Sequence, residues 1–315
     1  MEQILGRKEQ AMLSTHEFID AIKSGDANRL ADLFRSSDNH QQRLNATITD
    51  LQPTDYSIGG DMTLLQFASF RSWNSGDPAA VLIDHGAKVD LHSACGLGMT
   101  DRIAEILAVA PDAIHDQVDS YAPIQFAISG AQSEAIECLI EHGDDPDRDL
   151  RKVAYFGWED ETREQHYTPW KPIHMASLWG FDSTRVPVSK SLAMAGADLN
   201  AISPLDGFRP IHLVAMPNRV DMIRFLVSQG VDVDSRTEAT NEINLPNDSS
   251  GPIEGHACTP LMVAAAEGFV EATACLLELG ADPKAENDMG HTAIDLASNR
   301  FWKGQPYDEI IDMLV

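Results

Sequence analysis

Apolar positions along this chain fall in short paired blocks rather than in long stripes. Residues 258–288, CTPLMVAAAEGFVEATACLLELGADPKAEND, show the unit most completely. Leu261, Val263 and Ala264 form one short apolar face. Thr259 can cap a helix whose first residue is Pro260, a position where a missing N–H costs nothing because that group has no intrahelical partner. Gly268 breaks the run, a second apolar block follows at 270–279, and Gly280 is placed to end it in the left-handed conformation that glycine adopts freely. The pattern predicts helix, turn, helix and loop in about 33 residues.

The same order recurs along the chain. Residues 209–234 carry Pro210, His212 and Gly230 in the equivalent places, and residues 171–200 carry Pro172, His174 and Gly196. Residues 122–147 and 63–90 repeat the pattern, with Asp77–Pro78 supplying a helix start in the latter. Degenerate copies lie at 91–118 and 291–315, and a weaker one at 16–34 reads as an N-terminal cap. Each pair is too small to bury its apolar face alone and must stack on its neighbours. The expectation is a single all-α solenoid over residues 15–315. Residues 1–14 stand apart as an N-terminal segment whose order the sequence leaves open.

These residues resemble the ankyrin-repeat family. Its T-P-L-H-x-A signature appears here as TPLMVA, KPIHMA and RPIHLV, and its helix-end G-A-D-x-N as GADLN, GVDVD, GADPK and GAKVD. The resemblance covers nearly the whole chain. It implies stacked helix-turn-helix units joined by β-turn finger loops, and protein–protein interaction as the function, while saying little of specific chemistry because one fold hosts many functions. Family members generally bind partners through the fingertip residue before T-P-L-H and the two residues after its alanines. Carried over residue by residue, that implies Met62, Phe70, Arg71, Tyr121, Trp170, Leu178, Trp179, Phe208, Met216, Glu267 and His291. The set is rich in aromatics, which with Arg usually carry interface energy. The resemblance also makes His174 and His212 structural imidazoles that bond backbone between repeats, with His92 similar in its degenerate copy.

Two stretches leave the repeat pattern, near 150–170 and 235–258, and each replaces a short fingertip. The first gathers Tyr155, Phe156, Trp158, Tyr167 and Trp170. The second is polar and turn-rich. Long surface loops cost little free energy and are often merely tolerated, and some of these aromatics could simply hold the loop on the solenoid. A tolerated loop would nonetheless be polar and Gly-rich, so this clustering favours a binding surface. Tyr155, Trp158, Trp170, Trp179 and Phe208 are the expected apolar anchors.

Charge narrows the partner. Lys and Arg number 23 against 49 Asp and Glu, a formal net charge of −26. That sign repels phosphate backbones and anionic membrane surfaces. No nucleic acid and no membrane is therefore expected, and acidic rim residues such as Asp160, Glu161 and Glu238 would prefer a protein partner with a basic or apolar patch. No stretch approaches the roughly 18 apolar residues of a membrane span, and the N-terminus lacks the apolar run of a signal peptide, so the expected location is the cytoplasm. The cysteines Cys95, Cys138, Cys258 and Cys275 are scattered, with no C-x-x-C pair, and no disulfide framework is expected.

Chemistry-bearing motifs are sparse. G-x-S-x-G and the P-loop are absent, and the Asp145, Asp147, Asp149 run fails as a calcium loop because Leu150 and Phe156 stand where Gly and Glu are needed. His85 and His142 precede helix-ending glycines, where a cation suits the helix dipole. His166, His256 and His291 fall on fingertips with acidic neighbours, so His166, His256 and Glu254 are candidate metal ligands, although no spacing demands a metal and no cofactor is expected. The alternative to an interaction protein is a small-molecule binder or acid/base enzyme between the two inserted fingers. Its candidates are Tyr155, Asp160, His166, Tyr167 and His256, whose proton affinities an aromatic pocket would shift.

Overall fold

The computed structural model describes residues 17–36, 44–45, 47–48, 62–70, 77–150, 170–178, 182–203 (backbone only at 182–184), 207–238, 256–298 and 307–315. The chain divides into two compact units, Met1–Asp145 and Pro146–Val315.

Helices in both units come in pairs, as the apolar blocks predict. In the N-terminal unit a helix at 17–23 is followed by Ala27–Ser36, Leu64–Phe70 by Pro78–Asp84, Leu91–Gly96 by Thr100–Val109, and Pro123–Ser129 by Ser133–Glu141. In the C-terminal unit Pro172–Leu178 precedes Asp182–Met194, Pro210–Ala215 precedes Val220–Ser228, Pro260–Ala266 precedes Val270–Glu278, and Ala293–Ser298 precedes Tyr307–Leu314. Within each unit the first helices stack on one another and the second helices form a parallel row behind them. Among the described residues there are no strands, only isolated bridges at Thr47–Thr63, Val118–Tyr121 and Leu150–Trp170. No described helix is long and apolar enough to cross a membrane.

Burial follows from the layering. The first helices lie between neighbours on both sides, and every residue of Pro260–Ala266 is buried. The second helices keep a wet face: in Val220–Ser228 only Met222, Ile223 and Leu226 are buried. The left-handed helix end expected at Gly280 is present, with φ at 95°.

Such short helices cannot satisfy their own first N–H groups, and a side chain helps at each of the seven first helices from Leu64–Phe70 onward. The residue at the third helical position accepts from the cap N–H through Gln66 (2.8 Å), Ser93 (3.0 Å), Gln125 (2.9 Å), His174 (3.0 Å), His212 (3.2 Å), Met262 (3.3 Å) and Asp295 (2.8 Å). This alignment corrects one expectation. His92 lies a residue too early to be the motif imidazole, and Ser93 holds that position. Lacking the leading proline, the degenerate copy obscured its own register.

Fingers are tied by carboxylates. Both oxygens of Asp147 accept the Asp198 N–H, at 3.0 and 3.1 Å, and those of Asp234 accept the Asp282 N–H at 3.1 and 3.2 Å. The insertions leave from paired feet. Leu150 N–H donates to the Trp170 carbonyl at 2.8 Å, and Thr237 N–H to that of Cys258 at 2.9 Å. A third long excursion, unnoticed in the repeat alignment, leaves from Ile48, whose N–H donates to the Met62 carbonyl at 2.8 Å. The interiors of all three lie outside the described residues.

In the N-terminal unit the first helices approach unusually closely at their C-terminal ends. A Cβ on Gly96 would stand 2.7 Å from the Ser69 carbonyl oxygen, and one on Gly130 would strike the carbonyl of Gly96. A glycine-to-alanine change in an open helical site stabilises by up to about 1 kcal/mol. Gly96→Ala is expected to reverse that sign and destabilise this unit by about 1–3 kcal/mol, read from urea unfolding.

Candidate protein-interaction surface

The fingers of the C-terminal unit form a continuous hydrogen-bonded edge. Ser203 N–H donates to the Phe208 carbonyl (2.7 Å), Glu238 N–H to Gly207 (3.0 Å), and Asp288 N–H to His256 (3.1 Å). Two arginines bind successive fingers together. Arg236 donates to the carbonyls of Ala257 (3.0 Å) and Glu286 (2.6 Å). Arg209 donates to the carbonyls of Asn200 (2.7 Å) and Arg236 (3.2 Å) and to the Glu238 carboxylate (3.1 Å). Both guanidiniums are thus engaged along the finger edge, where Arg236, Glu238, Glu286 and Asp288 are all exposed.

Several expected contact residues are not on a surface. Trp170 and Phe208 are 2% exposed and Tyr121 is 0% exposed, and Met62 and Phe70 are also buried. The residue before the helix cap points into the stack, where its ring lies against the third helical residue: Trp170 is 5.9 Å from His174 and Phe208 is 5.7 Å from His212, centroid to centroid. The Trp170 indole N–H is spent on the Ser203 hydroxyl at 3.1 Å. These side chains offer a partner no area, which corrects the expectation that they are exposed anchors. Leu178, Met216, Glu267 and His291 are half-buried. Arg71, Tyr155, Trp158, Asp160, Glu161, His166, Tyr167, Trp179 and Glu254 lie outside the described residues.

The described histidines divide by environment. At His174 and His212 the Nδ1 atom accepts a backbone N–H and must be unprotonated. The Nε2 atom therefore carries the hydrogen, donated to the Ala201 carbonyl (2.9 Å) by His174 and shared between those of Ser235 and Cys258 (3.1 Å each) by His212. Burial outweighs the carbonyls that favour the cation and lowers both pKa values to about 4. Imidazoles so engaged have no free nitrogen for catalysis. His92 is buried against Phe126, and burial lowers its pKa as well.

The backbone N–H of His256 donates to the Asp288 carboxylate at 2.6 Å, and the backbone N–H of His291 to the Asn287 side-chain oxygen at 2.9 Å. Among the described residues, however, no three His, Cys, Asp or Glu side chains converge as a metal site would require. All four cysteines are free. His85 and His142 each bond a carbonyl of the last helical turn, at 2.7 and 2.8 Å.

Paired helices, side-chain caps and joined fingers define a class of repeat protein, and comparison with known proteins agrees. The family model for the ankyrin repeat matches residues 206–238 and 256–288. The chain is 24% identical over 260 residues to the nuclear factor NF-kappa-B p105 subunit of Gallus gallus, covering 74% of this chain and 24% of that protein. It is 28% identical over 144 residues to the putative palmitoyltransferase ZDHHC13 of Danio rerio, covering 40% of this chain and 22% of that protein. The chain thus spans about a quarter of the length of these curated relatives. The chain carries ankyrin repeats over those residues, and repeats of this kind generally mediate protein–protein interaction.

Two outcomes follow for the C-terminal unit. Trp170→Ala removes a buried core ring and is expected to lower its stability by about 3–5 kcal/mol in urea unfolding. The second concerns pH. With folded pKa values lowered to about 4, His174 and His212 stay neutral while the unfolded chain takes up protons below its ordinary value of 6.5. Stability is therefore full above pH 6.5 and falls as pH drops toward 4, by on the order of 3 kcal/mol for each imidazole. Gln66 and Gln125 make the same cap contact. His212→Gln should accordingly flatten its share of the slope, measured as the urea midpoint against pH.

Proposed function

We propose that this chain is a non-catalytic interaction protein that binds a protein partner bearing a basic segment, through its finger loops and the first-helix face expected to be concave. The observation that carries the reading is the charge arrangement of the fingers. Arg209 is divided between neighbouring carbonyls and the Glu238 carboxylate, and Arg236 donates to the carbonyls of Ala257 and Glu286, while the carboxylates of Glu286 and Asp288 face solvent on the same edge. The net charge of −26 extends that field over the whole chain. A negative surface attracts a basic partner, speeds encounter and rejects acidic competitors. One relative is named as a subunit, which fits a protein that works in an assembly.

The inserted loops supply the finer part of the proposal, with Tyr155 and Trp158 as apolar anchors inside an acidic rim. Binding energy would come from those anchors, and encounter rate from the rim. The test is surface plasmon resonance of the whole chain over immobilised Lys-rich, neutral and Glu-rich peptides. Binding to the Lys-rich set alone is expected, with an association rate that falls as salt shortens the Debye length to about 8 Å at physiological strength. Glu286→Lys should slow association several-fold. An association rate insensitive to salt would remove the electrostatic basis of the reading.

A further inference from the structure

Of the four free thiols, Cys95, Cys258 and Cys275 are buried and Cys138 alone is half-buried. Two of them meet in the N-terminal unit. Cys95 lies two residues beyond Ser93, the third helical residue of Leu91–Gly96. At that position the other first helices from Leu64–Phe70 onward carry Ala68, Ala127, Ala176, Val214, Ala264 and Ala297, all of them buried. This place in the stack takes a small apolar side chain, and a thiol there departs from the pattern.

Cys138 stands on Ser133–Glu141, the second helix of the next repeat. Its Sγ lies 3.9 Å from the carbonyl oxygen of Thr100, the first residue of Thr100–Val109. A tight turn ties Thr100 back to Cys95. The Gly98 N–H donates to the Cys95 carbonyl at 3.3 Å, and the Met99 N–H to that of Ala94 at 2.9 Å. Leu91–Gly96 also packs directly against Ser133–Glu141. The two sulfurs feel each other electrostatically: burial pushes the Cys95 thiol well up, and Cys138 raises it further. The corresponding positions of the C-terminal unit hold Cys275 and Val214, so only one thiol stands there.

The pair is unequal. Burial and Glu141 raise the Cys138 thiol, but Cys95 is raised well above its ordinary value. Cys138 therefore ionises first, and its partial exposure opens it to a reagent in solution.

We propose that Cys138 is a thiol–disulfide exchange site for an oxidised low-molecular-weight thiol, and that Cys95 resolves the adduct into a Cys95–Cys138 bond. In the first step the Cys138 sulfur attacks one sulfur of a small disulfide such as oxidised glutathione. A mixed disulfide forms, and one glutathione leaves with the proton from Cys138. In the second step the Cys95 sulfur displaces the remaining glutathione from Cys138, which leaves with the proton from Cys95. Two protein thiols are oxidised and one small disulfide is reduced to two thiols. The bond joins successive repeats and restricts the unfolded chain, which stabilises the N-terminal unit under oxidising conditions. It is independent of the partner reading under Proposed function.

The test uses the whole chain in glutathione buffers from reduced to oxidised, read by intact mass, peptide mapping and urea unfolding. The expected oxidised product is lighter by two hydrogens and yields one peptide linking Cys95 to Cys138. Its urea midpoint rises on the order of 1 M. Cys95→Ala installs the residue that most counterparts carry, so the fold is kept, and that variant should stop at one glutathione on Cys138. Cys138→Ser should take up none. A wild-type chain that stops at one glutathione on Cys138, or that takes up none, would overturn the pair, as would a bond to Cys258 or Cys275. A Cys95–Cys138 bond that leaves the midpoint unchanged or lowers it would overturn the stabilising role.

Discussion

A helix of six or seven residues begins with four N–H groups and ends with four carbonyls that have no partner inside it. First helices such as Leu91–Gly96 and Pro260–Ala266 are of that length, so nearly all their backbone polarity must be met from outside. Burial makes the demand strict, since an unmet buried donor costs on the order of 1–3 kcal/mol. The third helical residue meets the first part of it by accepting the cap N–H. Where that side chain can also donate, the local cap becomes a bond between repeats. Gln66 reaches the Asp90 carboxylate, His174 the Ala201 carbonyl, and His212 the carbonyls of Ser235 and Cys258. Met262 and Asp295 close the cap without having a proton to pass on. Stacking is held by donors of this kind as well as by apolar contact.

That dual role explains why the fold was more legible than the surface. T-P-L-H-like starts and helix-ending glycines are local requirements of cap and turn geometry, and they stand in the sequence wherever a helix pair exists. The direction in which an aromatic points is decided by the neighbouring repeat. Tyr121, Trp170 and Phe208 occupy the position just before the cap, and an aromatic there reads equally as an exposed anchor or as a ring packed on the third helical residue. Burial and the Trp170–Ser203 bond decide for the core. His92 was misread for a simpler reason: without a proline to mark the first helical residue, a shift of one position leaves the motif plausible. The excursion that leaves at Ile48 was missed because the preceding copy carries no motif residue from which to count.

Acidic residues in the fingers serve two purposes that composition alone cannot separate. Asp147 and Asp234 accept backbone N–H groups from the following repeat and would be needed whatever the partner. A carboxylate so bonded still adds to the field, but its lone pairs are engaged. Glu286 and Glu238 sit on the same edge with open faces, Glu238 sharing only one guanidinium contact. The negative surface is in part a by-product of how the fingers are joined. Under the proposed function, charge that the fold already requires there would also steer a basic partner.

The insertions follow from the same geometry. Each leaves and returns through a fingertip whose two feet are already hydrogen-bonded, as at Leu150–Trp170 and Thr237–Cys258. Closing the loop is therefore done by the fold, and lengthening it adds only about 0.6 kcal/mol per doubling. A helix pair cannot change length without disturbing the neighbours that satisfy its ends. A fingertip can, because its two feet are already joined. On the reading proposed above, recognition chemistry is therefore free to accumulate at the inserted fingers without disturbing the helix pairs that satisfy one another's ends.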